Sequence, residues 1–233
     1  MKIEHYKNHE DISQRARDLI MAELLRKKDL MLCAATGNSP TRTYELLRQA
    51  YKKKPGLFTS LRIIKLDEWG GVPPDHPGTC ETYLREQLIG PINISPERYV
   101  AFSSNPAKPE EECRRIRSAL HQSGGIDVCI LGLGMNGHIA LNEPAGYLQP
   151  FCHVAELSAL TLQHPMTAGM GEKPPYGLTL GMADILNSKK IIMLIHGSKK
   201  RKIAEKLYSG KISTRIPASF LWLHPDTVCL SDV

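Results

Sequence analysis

The stretch Ile126-Asp-Val-Cys-Ile-Leu-Gly-Leu-Gly-Met-Asn-Gly-His-Ile-Ala-Leu-Asn-Glu-Pro144 decides how the rest of the chain is read. Its apolar run from Ile126 to Leu131 has the form of a buried strand. Glycines at 132, 134 and 137 interrupt it, and Asn136, His138 and Glu143 follow within eight residues. Ligands of open α/β sheets bind at the carboxyl ends of strands, so a buried strand that empties into a glycine loop carrying His and Glu marks a candidate site. The spacing Gly132-x-Gly134-x-x-Gly137 also has the form of a dinucleotide fingerprint. That fingerprint requires a long helix after its third glycine, with the pyrophosphate at the helix N-terminus. Here Pro144 and Gly146 arrive within ten residues of Gly137. A proline in a helix interior costs about 3 kcal/mol, so no crossover helix and no nicotinamide cofactor are expected.

Three other strand ends carry chemistry. Residues 30–35 form a short apolar strand, and Thr36-Gly-Asn-Ser-Pro40 turns it into a helix over 41–51, with Ser39 as N-cap and Pro40 as first helical residue. Backbone N–H groups and hydroxyls at a positive helix end suit a phosphate; a plain capped helix has the same sequence. Residues 61–71 form a strand ending in Asp67 and Glu68 before two glycines. Successive strand side chains point to opposite faces, so only one of the two carboxylates faces a cleft. Residues 190–196 form another buried strand, and Gly197-Ser198 leads into a helix over 199–208 with lysines in its first turn. Cations there oppose the macrodipole and are better tolerated if an anion binds.

The remaining segments alternate helix and strand. Helices are expected over 11–28, 79–88 (capped by Thr79), 109–123 and 178–186, and a final strand over 227–230. Residues 147–177 are the least regular part, with one strand expected over 153–157. A segment of this kind is a lid or binding loop, or else disordered.

Composition narrows the function. The 233 residues suit one α/β domain. No run of eighteen apolar residues exists, so no membrane span is expected, and Met1-Lys-Ile-Glu-His-Tyr-Lys7 lacks the apolar core of a signal peptide. The six cysteines form no C-x-x-C pair, and Cys33, Cys129 and Cys229 sit in apolar runs. Together these features lead to the expectation of a cytoplasmic protein with reduced thiols. The net charge of +6 peaks at Lys199-Lys-Arg-Lys202, but only 6% of residues are aromatic. Without aromatics interleaved in a basic stripe, a nucleic-acid partner is not expected. A basic balance suits an anionic small substrate.

Taken together, Thr36-Gly-Asn-Ser-Pro, Leu66-Asp-Glu-Trp, the Asn136-Gly-His-Ile-x-x-Asn-Glu-Pro stretch and Gly197-Ser-Lys-Lys resemble the glucosamine-6-phosphate deaminase family, also called glucosamine-6-phosphate isomerases. The likeness runs in order over nearly the whole chain. The related 6-phosphogluconolactonases share the Gly-His but typically lack Asn-Glu-Pro. Leu66-Asp-Glu-Trp, Pro77-Gly-Thr-Cys-Glu-Thr and Ile216-Pro-Ala-Ser-Phe-Leu-Trp-Leu-His are similar to a bacterial galactosamine-6-phosphate branch.

The resemblance implies an α/β, Rossmann-like three-layer sandwich with a mostly parallel central sheet, spanning 1–233 as one domain with a lid at 147–177. It implies a cofactor-free, metal-free enzyme that opens the ring of an amino-sugar 6-phosphate, isomerises aldose to ketose and releases ammonium. Asp67 corresponds to the base that takes the C2 proton. His138 moves the ring-opening proton, Glu143 orients it, and Asn136 is limited to hydrogen bonding. Thr36, Gly37, Asn38, Ser39 and Lys200 correspond to the phosphate site. The family's phosphate arginine falls near Thr167, which leaves Arg42 or Lys173 as candidate replacements. The basic positions of allosterically regulated members fall on His153 and Ala155, so no such activation is expected. A lactonase of the same fold and a catalytically silent sugar-phosphate sensor are the alternatives; neither a monomer nor a homo-oligomer is singled out.

Overall fold

The computed structural model describes residues 1–233. In chain order its elements are β1 (Lys2–His5), α1 (His9–Arg26), β2 (Met31–Ala34), α2 (Asn38–Lys53), β3 (Arg62–Lys65), β4 (Asp67–Gly70), α3 (Cys80–Leu84) and β5 (Tyr99–Val100). They continue with α4 (Pro109–Gln122), β6 (Val128–Gly132), β7 (His153–Ala155), α5 (Pro165–Ala168), β8 (Tyr176–Thr179), α6 (Met182–Leu186), β9 (Lys190–Ile195), α7 (Arg201–Tyr208) and β10 (Thr227–Ser231).

Seven strands form one parallel sheet in the order β1-β10-β9-β6-β2-β3-β5. Strand alternation divides its side chains between two apolar layers. Leu32 and Ala34 of β2, Val128 and Ile130 of β6, and Ile192 and Leu194 of β9 face the layer that takes Ile12, Ala16, Ile20 and Leu24 of α1 and Tyr44 and Leu47 of α2. Met31, Cys33, Cys129, Leu131, Ile191 and Met193 face the other, against Cys113, Ile116 and Leu120 of α4, Met182 and Ile185 of α6, and Ile203 and Leu207 of α7. This is the three-layer α/β architecture. Apolar runs without alternation are what such doubly covered strands require.

From β2 the chain moves outward through β3 to β5, then returns to the other side of β2 with β6 and moves outward through β9 to β10. The strand order therefore reverses between β2 and β6, where a crevice opens at the carboxyl ends. A second, antiparallel sheet, β4-β8-β7, stands beside it. β4 leaves the central sheet immediately after Leu66, so Asp67 is its first residue.

Several local expectations are corrected. Helix α2 begins at Asn38 after Gly37, whose φ of 98° makes the turn; Ser39 lies inside the first turn and is not the N-cap. Residues 176–179 pair with β4 as strand β8, and only Met182–Leu186 of the expected 178–186 helix is helical. The helix expected over 79–88 is α-helical only to Leu84 and continues as a π-helical segment, Arg85–Ile89. Ser198–Lys200 is a 3-10 turn ahead of α7. Strand β1, not expected at all, pairs with β10 at the sheet edge. No helix is long and apolar enough to cross a membrane.

Candidate active site

The four strand ends singled out in the sequence belong to β9, β6, β2 and β3, which are neighbours in that order. The parallel sheet thus delivers all four to one edge, around the switch point between β6 and β2.

After β6 the chain makes a tight loop instead of a helix. Gly134 N–H donates to the His138 carbonyl and Gly137 N–H to the Gly134 carbonyl, both at 3.0 Å. Two glycines are required here for separate reasons. Gly137 has a φ of 92°, favoured by glycine. A Cβ on Gly134 would come within 2.4 Å of the His138 ring, which packs directly over its backbone. The His138 backbone N–H donates to Asn136 Oδ1 at 3.1 Å, and Asn136 Nδ2 donates to Glu143 Oε2 at 2.7 Å. Asn136 is therefore a brace between the histidine and its carboxylate. Glu143 Oε2 stands 3.7 Å from His138 Nδ1, an ion-pair distance. The far side of Glu143 is held by the segment beyond β7: Ser158 Oγ donates to Oε1 at 3.2 Å, and Thr161 Oγ1 donates to the same oxygen. Burial pushes the Glu143 carboxyl up, but His138, Thr161 and Asn136 outweigh it and hold the group at about 2. Glu143 is thus an ionised acceptor facing one imidazole nitrogen.

Asp67 and Glu68 occupy opposite faces of β4, as alternation requires, and have different environments. Glu68 has no solvent exposure and accepts four hydrogen bonds: from Lys65 Nζ at 2.6 Å, Trp69 N at 2.8 Å, Cys80 N at 2.8 Å and Glu81 N at 2.9 Å. It caps α3 from a distance and neutralises a buried lysine. Asp67 is buried too, yet its Oδ1 has no hydrogen-bond partner. Burial, reinforced by the Glu68 charge and opposed by Lys65, lifts its carboxyl to about 7. Thr179 ties this carboxylate to the histidine loop. Its backbone pairs with Asp67 in the β4–β8 ladder, and its Oγ1 accepts from Leu141 N at 3.2 Å. Asn142 Nδ2 adds a bond to the Leu180 carbonyl at 2.9 Å.

The expected phosphate residues converge in part. Lys200 Nζ reaches across from the β9 end to Ser39 Oγ at 3.4 Å, and a Cβ on Gly132 would lie 3.9 Å from the same oxygen. Burial drags the Lys200 ammonium down to about 8 against the pull of Asp232. His9 Nε2 donates to the Ser39 carbonyl at 2.9 Å and stacks on His196 at 4.0 Å. His196 Nδ1 in turn lies 2.5 Å from Asp232 Oδ2, so this column braces the first turn of α2 against the end of β9. Thr36 Oγ1 turns away to Cys80 Sγ at 3.3 Å, and Asn38 is exposed. Neither suggested replacement for an arginine is free. Arg42 is held by Glu10 at 2.6 Å and Glu45 at 2.7 Å, and Lys173 donates to the Thr167 carbonyl at 2.7 Å. Ser158 and Thr161 are contributors that the sequence did not single out; a hydroxyl pair three residues apart is too common a pattern to mark a site.

A family model described as glucosamine-6-phosphate isomerases/6-phosphogluconolactonase matches residues 7–229. The protein AgaI of Escherichia coli (strain K12), which carries the provisional name of a deaminase, is 38% identical over 228 residues, covering 98% of this chain and 90% of its own length. The glucosamine-6-phosphate deaminase of Bacillus pumilus (strain SAFR-032) is 35% identical over 236 residues, covering 100% of this chain and 97% of its own. The solved structure of a monomeric glucosamine-6-phosphate deaminase superposes with a TM-score of 0.92 at 33% identity, over 99% of this chain and 97% of that one.

Proposed function

We propose, from the premise that the chain belongs to the glucosamine-6-phosphate isomerase/6-phosphogluconolactonase family, that it is an amino-sugar 6-phosphate deaminase. It would convert glucosamine-6-phosphate or galactosamine-6-phosphate, with water, to the ketose 6-phosphate and ammonium. The observation that carries this reading is Asp67: a buried carboxylate whose Oδ1 has no hydrogen-bond partner, at the strand end beside the His138 loop. An unpaired buried acceptor costs about 1–3 kcal/mol, a cost that fits a group whose partner arrives with the substrate.

The steps follow from the side chains. His138 transfers a proton from the anomeric hydroxyl to the ring oxygen, which opens the ring to an aldehyde. Glu143, ionised and 3.7 Å from Nδ1, stabilises the imidazolium formed on the way and fixes the ring's orientation, as a carboxylate does for a catalytic histidine elsewhere. Asp67 takes the C2 proton while the aldehyde oxygen gains one from the substrate's own ammonium, giving an enol-amine, and Asp67 returns its proton at C1. The resulting ketimine adds water at C2 and expels ammonium. A base working on a carbon acid near neutral pH is most effective with a pKa close to the operating pH, and burial supplies that for Asp67. Gly37, Ser39 and Lys200 would hold the phosphate, with N–H groups of the long helix α2 pointing at the anion.

The test is ammonium release from glucosamine-6-phosphate and galactosamine-6-phosphate side by side. Release from either supports the deaminase, and the ratio of kcat/KM values identifies the preferred C4 epimer. Folded protein that releases ammonium from neither, yet hydrolyses 6-phosphogluconolactone, would overturn it.

A further inference from the structure

We infer that His164 binds the substrate's phosphate, donating from Nε2 across the cleft from Ser39 and Lys200. The inference rests on the phosphate cradle of the reading above and extends it to a residue in the irregular segment that follows β7.

The local sequence fixes the ring. His164 precedes Pro165, which bars the helical conformation at the residue before it; His164 accordingly has φ −59° and ψ 141°, and Pro165 opens α5. Freed from the helix, the His164 side chain turns back and caps it, Nδ1 accepting from Met166 N at 3.3 Å. That bond settles the tautomer. A neutral imidazole with Nδ1 as acceptor carries its proton on Nε2.

Nε2 is the atom that faces the cradle. A Cβ placed on Gly37, the residue that turns the chain into α2, would lie 3.5 Å from it. Trp69 stands on another side of the ring, with centroids 6.0 Å apart. The cation on the far wall, Lys200, has Ser39 Oγ as its only hydrogen-bond partner, at 3.4 Å. Burial depresses the His164 imidazole, and the charges of His138 and Lys200 depress it further, as expected of a ring that shares one cleft with both. Gly37 thus adjoins an imidazole whose N–H has no protein acceptor, and Ser39, two residues on, meets a lysine that forms no salt bridge. An anion at the start of α2 would satisfy both, while Arg42 and Lys173 remain committed to Glu10, Glu45 and the Thr167 carbonyl.

Two substitutions separate the donor from the cap. His164→Asn retains a short side-chain acceptor for the Met166 N–H but has nothing at the Nε2 position. His164→Gln extends an amide N–H to about where Nε2 stands. Calorimetric titration with inorganic phosphate is expected to give Kd about tenfold weaker for His164→Asn, the value of one hydrogen bond to a charged group, with much of that recovered by His164→Gln. With the amino-sugar phosphate as substrate, KM should rise by a similar factor while kcat stays within about threefold. Phosphate affinity unchanged in His164→Asn, or equally weak in the Asn and Gln variants, would overturn the assignment, as would a loss confined to kcat. The phosphate titration does not depend on turnover. Wild-type protein that releases no ammonium while His164→Asn loses phosphate binding would sink the deaminase reading and leave His164 in place.

Discussion

Asp67 and Glu68 are neighbours in sequence and opposites in environment: Glu68 is fully buried with four hydrogen bonds, and Asp67 is buried with Oδ1 unpaired. The Glu68–Lys65 pair, 2.6 Å apart and without solvent exposure, fixes β4 where it leaves the central sheet. Strand alternation then leaves Asp67 on the other face. One carboxylate builds the turn and the other is left for chemistry.

Asp67→Asn is expected to lower kcat by at least about 10²-fold, the usual contribution of a positioned base, while inorganic phosphate binds with wild-type affinity. The same variant should be more stable than wild type above pH 7. Burial raises the folded-state carboxyl from 3.8 to about 7, so the folded protein holds this proton more tightly than the unfolded chain. Its contribution to stability is full below pH about 4 and lost as pH rises through about 7; the interval is worth up to about 4 kcal/mol. Asn has no proton to lose. Thermal melts at pH 8 should show a Tm several degrees higher for the variant, and a lower Tm would contradict the burial argument.

Glu68→Ala leaves Lys65 and the N–H groups of Cys80 and Glu81 short of an acceptor. Breaking a buried pair costs about 3–5 kcal/mol; because Lys65 keeps Glu81 at 2.9 Å, the lower end is expected in urea unfolding. Glu68→Gln preserves the shape but removes a charge that raises Asp67. The acid limb of its pH–rate profile should move to lower pH. A limb that stays in place would show that Asp67 does not set it.

The wild-type profile of kcat/KM is expected to peak between pH about 7 and 8. Below it Asp67 gains a proton and stops acting as a base, and above it Lys200, held down to about 8 by burial, loses its charge. The substrate's own amine and phosphate titrate in nearby ranges, so the profile alone does not identify the lysine. Lys200→Arg does, because a guanidinium stays protonated. If Lys200 sets the alkaline limb, the Arg variant extends activity to higher pH. An unchanged limb would assign it to the substrate.

The cluster of chemical side chains at the strand ends was legible because each motif sits at the end of a short apolar run. Ile126–Leu131 and the strand entering Gly37 needed no long-range information. What escaped was set by tertiary pairing. Lys2-Ile-Glu-His has a single aliphatic residue and becomes β1 because β10, from the far end of the chain, offers it an edge. Leu178 lies in an apolar run compatible with either helix or strand; pairing with Glu68 across β4 makes it a strand. Gly37, rather than Ser39, begins the turn into α2 because the left-handed φ must come before the first helical residue. Thr161 acts on Glu143, eighteen positions earlier, and no local pattern records that distance.

In the proposed mechanism, that last contact makes the segment after β7 a support for the group that orients His138. Thr161 is buried, its Oγ1 bonds to Glu143 Oε1 and lies 3.4 Å from His138 Nδ1, and Ser158 completes the bracket. Thr161→Val keeps the volume and removes the hydroxyl, leaving Glu143 with one fewer donor and greater freedom to leave His138. Ring opening should slow, with kcat down about tenfold and inorganic phosphate affinity unchanged, since Thr161 does not touch Gly37, Ser39 or Lys200. Thr161→Ser restores the oxygen and should recover most of the rate. Equal kcat values for the Val variant and wild type would mean that Asn136 and Ser158 suffice to hold Glu143 against the histidine.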